Sequence, residues 1–150
     1  MDLGPNQLLS NQICHSLYSA TNAMVRAYRP LLDPLDLTYP QYLVMLALWE
    51  ADGIPVKDLV RQTRFDSGSL TPILKRLEQK GLIERKRSEN DERQRVIQLT
   101  DAGRNKKAEA MNVPEAFYCR TGVTPEQAMQ LKELTETLYR HLAEAEPVDN

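Results

Sequence analysis

The sequence predicts a mainly α chain carrying one small β-hairpin, and three observations predict it. Apolar residues recur three or four apart over most of the 150 positions, the spacing that gives a helix one buried stripe. Strand-like runs are confined to residues 82–86 and 95–99, either side of a wholly polar tip at 88–93. Proline, glycine and threonine-led capping patterns cut the remainder into helices of ordinary length. At 41% apolar residues, with no internal repeat, long apolar run or signal-peptide pattern, the chain reads as one soluble, cytoplasmic domain over residues 1–150 with no membrane partner.

Residues 8–28 read as a long helix, with Ile13, Leu17, Ala20, Met24 and Ala27 at helical spacing and Pro30 ending it. The segment LLDPLDL turns into Thr38-Tyr39-Pro40-Gln41. Threonine followed three residues later by glutamine is a capping box, and proline is tolerated in a first turn, so a second helix runs from here to about Glu50. Its expected apolar face is Tyr42, Leu43, Leu46 and Trp49. Ala51-Asp52-Gly53 breaks that helix, and Pro55 opens a short one to Arg64 with Val56, Leu59 and Val60 inward.

After a turn at 63–66, Asp66 is placed to cap a further helix whose Leu70, Ile73, Leu74 and Leu77 form a stripe and which stops at Gly81. Pro72 lies beyond the first turn of that helix, where it lacks a donor and crowds the carbonyl four residues back; the local rule alone starts the helix at Thr71-Pro72, and the earlier start is expected because Gly68 at that carbonyl relieves the crowding and the turn before it has to be short. The hairpin follows. Thr100 then caps a helix from Asp101 to about Asn112, which Pro114 interrupts, and the segment EAFYCRTG carries Cys119 to Gly122. Thr124-Pro125-Glu126-Gln127 repeats the capping box and starts a last helix to about Ala145, with Leu131, Leu134, Leu138 and Leu142 as a stripe.

Two helices joined by a short turn and followed by a basic hairpin, about residues 38–100, form the layout of a winged helix-turn-helix, whose second helix enters the DNA major groove while the hairpin reaches a neighbouring groove. The outer helices, about 6–30 and 101–146, carry stripes that so small a winged domain has little surface to cover, and are expected to form a homodimer. The net charge of −2 excludes steering of the whole chain to nucleic acid. Between Lys75 and Arg95, however, eight basic residues face five acidic ones. Ser67, Ser69 and Thr71 suit base edges and phosphates, and Lys75, Arg76, Arg85 and Arg87 suit phosphates. The competing reading of these residues is capping and an ordinary solvated face.

The two cysteines, Cys14 and Cys119, lie far apart and in no CxxC arrangement, so each is either an inert thiol or a redox-active one. Cys14, His15, Cys119 and His141 match no zinc spacing, and neither metal nor other cofactor is expected.

NQICHSLYSA around Cys14, AYRPLLDPLDLTYPQYLVMLALWE from Ala27, DSGSLTPILKRLEQKGLI from Asp66 and RKRSENDERQ in the hairpin make nearly the whole chain resemble the MarR family of dimeric regulators, and within it the organic hydroperoxide resistance regulators. The resemblance implies a homodimeric repressor of a pseudo-palindromic operator in double-stranded DNA, released when an organic hydroperoxide oxidises Cys14. It implies hydroxyl donation from Tyr28 and Tyr39 to the Cys14 sulfur, and places Cys119 where two-cysteine members carry the cysteine that closes an intersubunit disulfide. Arg93 resembles the family's minor-groove arginine, with Asp91 shaping the hairpin around it. Fourteen helical positions separate Cys14 from Tyr28, about 21 Å at 1.5 Å per residue, so Tyr28 reaches Cys14 only from a second subunit. Two rival functions use the same residues differently: a regulator released by a small phenolic or acidic ligand with incidental cysteines, and a thiol peroxidase.

Overall fold

The computed structural model describes residues 7–145, in two compact units, Met1–Phe117 and Tyr118–Asn150. The expected outer limits of the dimerisation helices, residues 6 and 146, lie outside the described residues.

In the first unit a 3₁₀ turn at Leu9–Asn11 precedes α1 (Ile13–Leu32). The helix therefore begins at Ile13 rather than at residue 8, and it passes through Pro30 instead of ending there. Pro30 lies in the last turn, where its missing N–H forfeits a single bond, and Leu32, only 1% exposed, anchors the continuation in the core. A second 3₁₀ turn, Asp33–Leu35, ends at Asp36 in the left-handed conformation (φ 54°).

Helix α2 (Tyr39–Glu50) carries both halves of its capping box: the Thr38 N–H donates to Gln41 Oε1 at 3.2 Å, and the Gln41 N–H to Thr38 Oγ1 at 3.3 Å. Its buried face is Gln41, Tyr42, Val44, Met45, Ala47 and Leu48, whereas Leu46 is exposed and Leu43 and Trp49 half-buried. The expected stripe was thus only partly right, because a helix apolar nearly all round gives no periodic signal for its inner face.

A two-residue strand, β1 (Ile54–Pro55), was not anticipated; it is too short for alternation to show. Helix α3 (Val56–Thr63) follows and closes at Arg64, φ 61°. Helix α4 (Ser67–Gln79) starts as expected, with Asp66 Oδ1 accepting the Ser69 N–H at 2.6 Å and Pro72 accommodated inside the helix. Gly81 (φ 71°) turns the chain so that the Leu82 N–H returns to the Leu77 carbonyl at 3.1 Å.

That bond explains a shift in the hairpin. With the Leu82 N–H closing α4, β2 is Ile83–Arg87 rather than residues 82–86, and it pairs antiparallel with β3 (Arg95–Leu99) from Ile83↔Leu99 to Arg87↔Arg95. β1 pairs with the other edge of β3, giving the order β1-β3-β2.

Helix α5 (Asp101–Glu109) is capped by Thr100. Its backbone at Gly103 runs so close to the residue before β2 that an added Cβ would fall 2.1 Å from the Leu82 carbonyl oxygen, a contact that only glycine avoids. Pro114 opens a new helix, α6 (Val113–Thr121), so the segment around Cys119 is helical and not an irregular connection. Proline in a first turn costs no bond. The core of the first unit gathers Leu32, Leu35, Met45, Leu48, Leu59, Leu70, Leu74, Leu77, Ile83, Ile97 and their neighbours.

In the second unit α7 (Pro125–Ala145) opens with the repeated capping box: the Thr124 N–H donates to Gln127 Oε1 at 2.9 Å, and the Gln127 N–H to Thr124 Oγ1 at 3.2 Å. None of its described residues is buried, and Leu131, Leu134 and Leu142 are exposed.

Candidate nucleic-acid interface and thiol site

The first turns of α4 are polar because their apolar positions begin only at Leu70. Ser67, Ser69, Thr71, Lys75 and Arg76 are all exposed, opposite the buried Leu70, Leu74 and Leu77. The Thr71 hydroxyl donates to the Ser67 carbonyl at 2.9 Å. The backbone N–H of Ser69, followed by its hydroxyl, holds the Asp66 carboxyl below its ordinary range. The N-cap is therefore ionised, the form that best accepts an N–H at a helix N-terminus.

In the hairpin Arg85 and Arg87 are exposed on β2, and Arg85 Nε lies 3.5 Å from Glu78 on α4. The tip is held by its own backbone: the Ser88 N–H donates to the Gln94 carbonyl at 2.9 Å, and Asp91 Oδ1 accepts the Arg93 N–H at 3.0 Å. Asp91 thus folds the chain under Arg93, leaving that guanidinium exposed at the end of the wing.

Cys14 is exposed in the first turn of α1, and Cys119 is exposed on α6. Tyr28 and Tyr39 come together, with ring centroids 4.7 Å apart. Tyr28 also stacks on Phe117 at 4.0 Å and lies 6.0 Å from Tyr42, which meets Trp49 edge-on at 6.3 Å. Burial, then the neighbouring Tyr39 and Tyr42, pushes the Tyr28 hydroxyl up to about 12. Burial also raises Tyr39, and burial together with Tyr39 raises Tyr42. All three remain neutral hydroxyls, able to donate, far above physiological pH.

Cys14 stands at the far end of the same helix from Tyr28, about 21 Å along the axis. Sequence reasoning missed Tyr42 and Phe117 as members of the aromatic cluster. Tyr42 had a signal, since it lies three residues after Tyr39 on the same helical face. Phe117 had none, because it arrives from a helix distant in sequence.

An apolar cavity of about 690 Å³ opens beside this cluster, lined by Tyr42, Leu46, Trp49, Met111 and Pro114 with Arg104 and Lys107 also on its wall. Among the described residues no cluster of three or more His, Cys, Asp or Glu is arranged to hold a metal, and no helix is long and apolar enough to cross a membrane.

The family model for the transcriptional regulator SarA/Rot matches residues 26–110. The organic hydroperoxide resistance transcriptional regulator of Bacillus subtilis (strain 168) is 47% identical over 131 residues, 87% of this chain and 87% of that one. Among solved structures, reduced AbfR bound to DNA superposes with a TM-score of 0.74 at 33% identity, covering 89% of this chain and 93% of that one. The disulfide form of AbfR, a protein of Staphylococcus epidermidis, gives 0.62 at 35% identity over 87% and 92%. Helix, turn, helix and basic wing, joined to these likenesses over most of the chain, place the protein in the MarR family of winged-helix transcriptional regulators, of the organic hydroperoxide resistance type.

Proposed function

We propose that the protein is a homodimeric repressor that binds a pseudo-palindromic operator when reduced and releases it when an organic hydroperoxide oxidises Cys14. The observation that carries this reading is the Tyr28–Tyr39 pair: two half-buried, neutral phenols with ring centroids 4.7 Å apart, of which Tyr28 lies at the opposite end of α1 from the Cys14 of its own chain. In a dimer they would face the partner's sulfur and stabilise its thiolate by hydrogen bonding. The thiolate attacks the peroxide, the O–O bond breaks, and the alkoxide leaves with a proton as an alcohol, giving a sulfenic acid. The thiolate of Cys119 from the second subunit then displaces hydroxide, which leaves as water, and an S–S bond forms. That AbfR is known both reduced on DNA and in a disulfide form supports the same cycle here.

On DNA, Ser67, Ser69 and Thr71 would meet the major groove, Lys75, Arg76, Arg85 and Arg87 the phosphates, and Arg93 the minor groove, with Asp91 holding the tip. The segments 6–30 and 101–146 would form the dimer and 38–100 the reading head. Two heads on one face of a duplex must lie about 34 Å apart, so a small rotation at the interface misaligns both.

The test is operator binding by wild type and Cys14→Ser, with and without cumene hydroperoxide. Wild type should lose the operator on oxidation and show a dimer band on a non-reducing gel, while Cys14→Ser stays bound and monomeric on that gel. Release of Cys14→Ser by oxidant would overturn the reading. A second reading draws on the cavity beside Tyr42, which suits a small aromatic acid with its carboxylate toward Lys107; release of Cys14→Ser by such an acid alone would favour it.

A further inference from the structure

Gln41 is the one buried polar residue among those described, at 6% exposure. Its Oε1 accepts two donors, the Thr38 N–H at 3.2 Å and the Lys80 ammonium at 3.0 Å. Capping alone does not require this arrangement. On α7, Gln127 makes the same box while exposed, and among the described residues no lysine bonds its oxygen. Burying an amide is costly unless its bonds are made, so the second donor on Gln41 calls for its own account.

Lys80 supplies it. The residue caps the C-terminus of α4, its N–H donating to the Arg76 carbonyl at 3.0 Å. Its ammonium, with three donors to distribute, also bonds the Asp36 carbonyl and lies 3.5 Å from Asp36 Oδ1. One nitrogen thus joins the end of α4, the left-handed turn at Asp36 and the first turn of α2. Tyr39 is the first residue of that same turn, packed on Tyr28.

We propose that Lys80 and Gln41 are positioning residues that transmit a change at the tyrosine pair to α4. This rests on the redox reading above. A shift of Tyr39 moves the first turn of α2; Gln41 moves with it and draws the C-terminus of α4 through Lys80. Helix α4 has 13 residues, about 20 Å at 1.5 Å per residue, so a tilt of roughly 5° about Lys80 displaces its reading end by more than about 1 Å. Neither residue has to touch DNA or sulfur for this to work. What it requires is an arrangement whose equilibrium both sites bias.

The experiment measures operator affinity before and after cumene hydroperoxide, together with the rate of Cys14 oxidation, for wild type, Lys80→Met, Lys80→Arg and Gln41→Leu. Reduced Lys80→Met should bind within about five-fold of wild type, having lost one charge, and its Cys14 should oxidise at the wild-type rate. Oxidised Lys80→Met should nevertheless stay on the operator, lowering the reduced-to-oxidised affinity ratio about ten-fold or more, a size ordinary for coupling between sites. Lys80→Arg, which keeps a donor within reach, should restore the ratio. Gln41→Leu cuts the contact from the other side and should behave like Lys80→Met. Wild-type ratios in both Lys80→Met and Gln41→Leu would overturn the proposal alone; a wild type that ignores the oxidant would overturn the redox reading, and this proposal with it.

Discussion

Helices α2 and α7 open on nearly the same residues and meet opposite surroundings. Thr38-Tyr39-Pro40-Gln41 and Thr124-Pro125-Glu126-Gln127 both close a two-bond capping box. Yet α2 buries six of its 12 residues, whereas α7 buries none of its 21. A cap fixes where a helix begins and carries no information about what will cover it. What differs is the pattern behind the cap: α2 is apolar almost all round and is central to its unit, while α7 has one apolar stripe on an otherwise charged surface. An exposed leucine stripe on a long helix is what an interface between copies needs.

The strongest way to break this contrast is to place charges on the α7 stripe. Leu131→Glu combined with Leu134→Glu should separate the subunits in analytical ultracentrifugation. Loss of bivalent binding should lower operator affinity by about 10²–10⁴-fold while each chain stays folded. A dimer that survives the pair would remove α7 from the interface. On α2 the effect should fall on folding itself. Leu48 is fully buried, and Leu48→Ala should cost about 2–5 kcal/mol in urea denaturation, against less than about 0.5 kcal/mol for an exposed substitution on a separated subunit.

The caps make a smaller and more even test. Thr38→Ala and Thr124→Ala should each cost about 1 kcal/mol. Because Gln41 also accepts from Lys80, the first should further lower the reduced-to-oxidised operator affinity ratio and the second should not.

The smallest effect lies at alkaline pH. Tyr28, Tyr39 and Tyr42 have folded-state pKa values above the ordinary 10.0. Their contribution is complete below that value and is lost as pH rises through the folded pKa, about 12 for Tyr28. Denaturation midpoints should fall across that window, and Tyr28→Phe should flatten the decline.

Much of this architecture was legible because caps are local. Thr38, Asp66, Thr100 and Thr124 each announce a helix within four residues, and each cap forms where expected. The misreadings turn on what a segment packs or bonds against rather than on its own pattern. Pro30 fails to end α1 because Leu32 has a core to enter, and Leu82 leaves its strand because its N–H closes α4. β1 exists only because β3 offers it an edge. At the candidate site, Tyr28 and Tyr39 follow from the resemblance alone, and no spacing rule pairs them. Gln41 was legible as a cap, but its second bond, to a lysine 39 residues on, had no local signature.

Trp49, the only tryptophan in the chain, donates its indole N–H to the Gly103 carbonyl at 2.9 Å and packs edge-on against Tyr42. The molecule therefore carries its own optical reporter at the junction between α2 and α5. Emission that shifts with oxidant in the unlabelled protein would time the internal rearrangement directly, ahead of any measurement made on the operator.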